Sequence, residues 1–338
     1  INSIRPEAET LLGLARAGVD LEIMTQGTSP YREAMAEAGI KLIDLVPKKK
    51  LDLGIARRIR EHLETGGHDI LHLFNNRAIT TGLYAARGLP VKVITYRGQT
   101  GNMHRLDPTC WLTHLNPGVD RIVCVADAVR DDLRPHLAHP ERAVTIYKGH
   151  ALDWYRDAPA DRASLGVPDD AFVFVSVANY RPRKGIEVLI EATRHLPVDA
   201  PIHILLVGND MDNEGLAMQI AASPYSDRIH VLGFRKDACA ITAACDAAVL
   251  AATKREGLPK TVIEAMVYGV PPIVTDTGGS AELVATGQTG IVVPPGDPVA
   301  LAEAMQRLSQ QRDLASEMGR KSRRRIDEHF NIRDTITQ

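Results

Sequence analysis

Short β-branched runs alternate with helical apolar periods along the whole chain. In the first half the predicted strands are "LEIMTQG" (21–27), "KLIDLV" (41–46), "ILHLFN" (70–75), "VKVITYRG" (91–98), "RIVCVA" (121–126) and "AVTIYKG" (143–149). Helices are predicted at 6–17, 31–38, 53–65, 78–87 and 127–137, several ending at a glycine. The second half repeats the scheme with "FVFVSVANY" (172–180), "IHILLVGND" (202–210), "RIHVLGF" (228–234), "AAVLAAT" (247–253), "PPIVTDTGG" (271–279) and "GIVVPPGD" (290–297). This alternation predicts an α/β protein of two doubly wound parallel sheets covered by helices on both faces. The polar stretch 153–170, with two prolines and no strand pattern, marks the division between the halves. Ligands of such sheets bind beyond the carboxyl ends of the strands, so the cleft between the halves is the expected site.

A length of 338 residues suits two domains, and the composition is that of an ordinary globular protein. A net charge of −2 and 4% aromatic residues give a polynucleotide neither a basic surface nor stacking platforms, so no nucleic-acid partner is expected. Cys110, Cys124, Cys239 and Cys245 show no CxxC or zinc spacing, which fits a reducing, cytoplasmic setting. No apolar stretch is long enough to span a bilayer, and no signal peptide is visible, although the chain opens at Ile1 without a methionine. The basic runs 47–63 and "KSRRRIDEHF" are candidates for peripheral contact with the inner face of a membrane, against the commoner reading of solvated helix faces. No GxGxxG opens either half, which argues against a dinucleotide dehydrogenase.

The candidate chemistry centres on "KREGLPKTVIEAM" (254–266), where Glu256 precedes a helix start and Glu264 lies inside the helix. Pro259 suits the first helical position, which makes Leu258 the expected N-cap, a residue with no oxygen to accept the free N–H groups. The donors of Lys260 and Thr261 are then open to an anion, with Lys254, Arg255 and Lys260 adding charge. A solvent-capped surface helix is the competing reading.

The segment "EGLPKTVIEAMVYGVPPIVTDTGGSAELV" (256–284), with its Glu-x7-Glu spacing, resembles the donor site of retaining glycosyltransferase family 4 (glycosyl transferases group 1), which has the GT-B fold. "VANYRPRKGIEVLIEA" (177–192), "LLVGND" (205–210) and "VLGFRKD" (231–237) resemble further motifs of that family in the same order. The resemblance implies two Rossmann-like domains, at 1–155 for the acceptor and 156–318 for the donor, with a helix at 319–338 returning to the first domain and burying Ile326 and Phe330. It implies a nucleotide-diphosphate-sugar donor, a glycan or glycolipid acceptor, and a role in cell-surface glycan or lipopolysaccharide synthesis. Neither cofactor nor metal is expected, because the departing phosphate itself takes the acceptor's proton.

Carried over residue by residue, the resemblance makes Lys184, Glu256 and Arg181 the catalytic set. Glu264 would bind ribose, and Gly257, Leu258, Lys260, Thr261, Gly208, Phe234, Arg235 and Arg183 would complete the donor site. The chain departs from the family at three places. Asn179 replaces the arginine five residues before the motif lysine, so Arg181, or its close rival Arg183, must supply the second cation. In "TYRGQTGNMHR" (95–105) Arg97 stands where a histidine is usual, which makes Arg97, Gly98 and His104 candidates on the acceptor side. The glycine-rich turn after the first strand is missing, and Ile1 to Ser3 are at most the end of that strand. These departures keep two alternatives in view: a degenerate or regulatory nucleotide-sugar-binding protein, and an epimerase on the same fold.

Overall fold

The computed structural model describes residues 5–26 and 29–338; the expected strand end at Ile1 to Ser3 lies outside them. The chain forms two compact units, 1–149 with 331–338, and 150–330. The division therefore falls a few residues before the expected 155, ahead of the proline-containing polar stretch.

In the first unit, strands β1 (Glu22–Thr25) and β2 (Lys41–Asp44) form a parallel pair. Strands β3 (Ile70–Leu73), β4 (Lys92–Arg97), β5 (Arg121–Cys124) and β6 (Ala143–Thr145) form a second parallel sheet in sequential order. The opening segment is helix Arg5–Arg16, whose Ala8, Leu11 and Leu12 pack with Ile23, Met35 and Ile40 under the small sheet. Helix Leu53–Gly66 is capped by the Asp52 carboxylate, which accepts from the Ile55 N–H, and buries Ala56, Ile59 and Leu63. Lys48, Lys49, Lys50 and Leu51 ahead of it, and Leu53 at its start, are exposed. Among the described residues no helix is long and apolar enough to cross a membrane.

The second unit holds one six-stranded parallel sheet. Its strands are β7 (Phe172–Val177), β8 (Ile202–Val207), β9 (Ile229–Gly233), β10 (Ala247–Leu250), β11 (Pro272–Thr275) and β12 (Ile291–Val293), in the order β12-β11-β10-β7-β8-β9. Strands β7, β8, β10 and β11 are buried almost throughout, as strands covered on both faces must be. The strand order reverses between β7 and β10, which makes that junction the place where a ligand is expected.

The C-terminal expectation needs correcting. Helix Arg312–His329 belongs to the second unit: the Arg323 guanidinium donates to the Val267 carbonyl and the Ser322 hydroxyl to that of Met266. Ile326 and Phe330 are buried, but within this unit. Only the segment from Asn331 joins the first unit, where helix Ile332–Thr337 lies on helix Arg5–Arg16. The Thr335 hydroxyl fixes it there, donating to the Tyr147 carbonyl and accepting from the Gly149 N–H. The amphipathic pattern runs across both helices, and Asn331, which caps the last one, is where they part.

The first unit contains a buried histidine that gives its stability a pH dependence. His114 lies with Nδ1 3.1 Å from the Thr95 hydroxyl, and burial, helped by the Arg97 charge, pushes it down to about 3. The unfolded chain then binds a proton that the folded chain refuses, and stability rises with pH wherever that is so. The contribution is complete above the unfolded value near 6.5 and is lost as pH falls from there towards 3. Urea unfolding at a series of pH values should show that slope, and His114→Gln should flatten it; an unchanged slope in the variant would assign the acid sensitivity to other groups.

Candidate active site

Three strand ends and one helix start meet at the reversal point of the second sheet. Beyond β7 the chain runs through Ala178, Asn179 and Tyr180 into a tight turn at Pro182–Lys184, closed by Gly185 in the left-handed region at φ 68°. A side chain at Gly185 would run into the Ala251 carbonyl, so the turn carrying Lys184 lies directly on the segment after β10. The Thr253 N–H donates to the Arg183 carbonyl at 2.9 Å, tying the two loops together.

A cavity of about 410 Å³ opens at this point. Arg181, Lys184, Gly208, Phe234, Arg235, Lys260 and Thr261 line it, together with Val177, Ala178, Asn179, Val207, Ala238 and Pro259. Five of the expected donor-site residues and two of the expected catalytic set thus come together around one space. The sequence reading missed Asn179 as a lining residue. Its side-chain oxygen accepts from the backbone and side-chain amides of Asn209, which joins the loops after β7 and β8. Asparagine can play that part, whereas an arginine, having no acceptor, cannot.

The structure sets the two arginines apart. Arg181 is exposed on the cavity wall, whereas Arg183 is not among the lining residues and donates to the Arg255 carbonyl at 2.9 Å. Arg255 holds a left-handed backbone at φ 62°, an uncommon state for a non-glycine residue, and its carbonyl is the group that Arg183 engages.

Helix Lys260–Val267 begins one residue later than expected. Pro259, and not Leu258, is the N-cap; its side chain accepts nothing, and its carbonyl takes the N–H groups of Val262 and Ile263. Leu258 is buried in the loop beside Gly257. A proline in an extended conformation serves as an acceptor-less cap as well as leucine would, so the N–H groups of Lys260 and Thr261 keep no side-chain cap.

The two glutamates differ in setting. Glu256 is 4% exposed and receives Lys184 Nζ at 2.8 Å, with Arg183 3.5 Å away. Glu264 lies within the helix and pairs with Lys260 at 2.6 Å. Burial, and then the nearby Glu264 carboxylate, push the Cys239 thiol up to about 12, which leaves it protonated and inert. Glu256, Gly257, Leu258, Glu264 and Arg183 are not among the residues that line the cavity. Arg235 is on the wall but occupied, forming a two-point pair with Asp237 at 2.8 and 2.6 Å.

The acceptor-side candidates do not form a comparable site. Arg97 is 8% exposed and donates to the Gly101 carbonyl in its own loop, while the Gly101 N–H donates to Asp132. Burial lowers its guanidinium pKa and the Asp132 charge opposes the shift. Arg97 thus holds its own loop through Gly101. Gly98 is exposed beside it, and His104 is a surface residue near His136.

Two parallel-sheet α/β units, the second with a basic cavity at the reversal point of its sheet, fit the architecture of a GT-B glycosyltransferase. Residues 157–325 match the family described as glycosyl transferases group 1, and residues 8–154 match glycosyltransferase family 4. The chain belongs to this glycosyltransferase family and is an enzyme of that class. It is 22% identical over 348 residues to an N-acetyl-alpha-D-glucosaminyl L-malate synthase of Bacillus anthracis, covering 96% of this chain and 89% of the relative. Over a shorter span it is 27% identical to a lipopolysaccharide core biosynthesis glycosyltransferase of Rhizobium meliloti, covering 54% of this chain and 52% of that one. Among solved structures, Anabaena HepE in complex with UDP superposes with a TM-score of 0.81 at 20% identity, covering 98% of this chain and 94% of HepE. Sucrose-phosphate synthase from Thermosynechococcus elongatus gives 0.76 at 22% identity, covering 97% and 90%.

Proposed function

We propose that this enzyme moves a sugar, with retention of configuration, from a nucleotide-diphosphate sugar to a hydroxyl of a glycan or glycolipid acceptor in cell-surface glycan synthesis. The observation that carries the reading is the cavity at the reversal of the second sheet, where Arg181, Lys184 and the uncapped start of helix Lys260–Val267 converge. Two cations and free backbone donors are the groups a diphosphate needs. Lys184 would neutralise the charge that grows on the leaving group as the glycosidic bond breaks, and Arg181 would hold the second phosphate. Glu264 would reach ribose hydroxyls, Phe234 and Arg235 would border the nucleotide, and Glu256 would orient hydroxyls of the transferred sugar. Support for the donor class comes from relatives named as glucosaminyl and lipopolysaccharide-core transferases and from the UDP complex of HepE.

Charge stabilisation by side chains and N–H groups makes the reaction independent of divalent metal. Incubation with UDP-sugars and oligosaccharide acceptors should release UDP at the same rate with and without EDTA, and NMR of the product should show the donor's anomeric configuration. Transfer that EDTA abolishes and Mg²⁺ or Mn²⁺ restores would remove Lys184 as the principal charge stabiliser. Binding of donor without turnover on any acceptor would instead favour a nucleotide-sugar-binding protein.

A further inference from the structure

Away from the donor cavity, the first unit gathers Glu22, His62 and His68 at one point. Helix Leu53–Gly66 carries His62 near its end; Gly67, left-handed at φ 63°, then turns the chain back and brings His68 over the helix terminus. The imidazole of His68 occupies the space above Gly66 that a side chain there would need. Glu22 comes from the edge of β1, directly opposite Lys41 in the parallel pair.

Glu22 Oε2 lies 3.2 Å from His68 Nε2 and makes a short contact with His62 Nε2. One ligand atom from each of the three residues falls within 4.8 Å of the others. A tetrahedral ion with bonds of roughly 2.0–2.2 Å holds neighbouring ligand atoms roughly 3.3–3.6 Å apart, which rotation of the His62 side chain would reach. The three side chains are 23–24% exposed, accessible enough for an ion and a completing water to enter. Lys41 Nζ sits 2.7 Å from the other carboxylate oxygen, Oε1, and at 61% exposure it is free to swing aside.

We propose that Glu22, His62 and His68 bind a divalent transition-metal ion of the zinc class, which staples β1 to the end of helix Leu53–Gly66. Two imidazoles and one carboxylate select such an ion over Mg²⁺ or Ca²⁺, which prefer oxygen ligands. The site lies wholly within the first unit, takes no part in the proposed transfer chemistry, and stands whether or not the donor assignment holds.

Titrating the full-length, metal-free chain with ZnCl₂ by calorimetry should give one site, with Co²⁺ giving the visible absorption of a tetrahedral centre. Zinc should raise the melting temperature, and Mg²⁺ should not. His62→Ala and His68→Ala, each checked for native circular dichroism, should weaken zinc binding at least about tenfold. Lys41→Met should strengthen it, because it removes a cation that competes for the carboxylate. Zinc affinity unchanged in the double variant H62A/H68A, or no zinc binding by the wild-type chain, would overturn the proposal.

Discussion

Replacing Lys184 by alanine is expected to lower kcat by about 10²-fold or more while changing donor affinity much less. Its ammonium lines the cavity, and in the proposed reaction it would face the place where negative charge increases as the leaving group departs, so that its contribution would be larger in the transition state than in the ground state. In the structure this ammonium is bonded to Glu256. The variant would therefore remove the proposed catalytic charge and also take the lysine from a carboxylate that is 4% exposed, with Arg183 3.5 Å away. Breaking a buried pair is destabilising in its own right, and a loss of activity could be mistaken for a loss of fold. The double variant K184A/E256Q separates the two effects: neutralising the carboxylate should recover stability lost with the ion pair and none of the lost kcat. Urea unfolding and donor-saturated turnover of both variants supply the check. A folded Lys184→Ala enzyme with near-normal kcat would end the case for the diphosphate site.

The architecture was legible because both signals for it are local. Strands such as "FVFVSV" and "IHILLV" are apolar through their length, and each predicted strand appears in the structure, trimmed at its ends where the residues turn into loops. The cavity residues were legible through the resemblance of their segments to the family's motifs, since Lys184 and Lys260 follow β7 and β10, the two strands that flank the reversal. What spacing does not encode is which partner a long side chain chooses. Arg183 and Arg181 are equivalent in sequence terms, and only the left-handed carbonyl of Arg255 draws one of them away from the cavity. The Lys184–Glu256 bond joins residues 72 positions apart and depends on the close approach of Gly185 to Ala251. Arg97 reads as a ligand-binding cation beside a strand end, yet the nearest acceptor is its own loop at Gly101. The parting of the last two helices at Asn331 was hidden because the amphipathic pattern continues on either side of it.

The two glutamates should fail in different ways when truncated. Glu264→Ala would remove the proposed contact to ribose, one made already in the ground state, so donor KM should rise more than kcat falls. It also releases Lys260, now 2.6 Å from that carboxylate, towards the phosphates, which should soften the loss. Glu256→Ala takes away the carboxylate that holds Lys184 at 2.8 Å and leaves two cations beside an empty space. Unpairing of a fully buried ion pair costs about 3–5 kcal/mol, and the figure here should be lower, because the Lys184 side chain is 19% exposed and can be rehydrated. Catalytically, a lysine no longer held in place is worth less than a fixed one, since preorganised charge avoids reorganisation at the moment of reaction. Glu256→Ala should therefore lower kcat by more than Glu264→Ala and by less than Lys184→Ala. It should also narrow the kcat/KM differences among UDP-sugars that differ in their hydroxyl configuration. Glu256→Gln keeps the shape of the site and one acceptor oxygen, and should recover part of the donor discrimination without restoring full turnover. Steady-state kinetics of the three variants against a panel of UDP-sugars decides the matter: an unchanged donor ranking in Glu256→Ala would confine Glu256 to holding Lys184, with no role in reading the sugar.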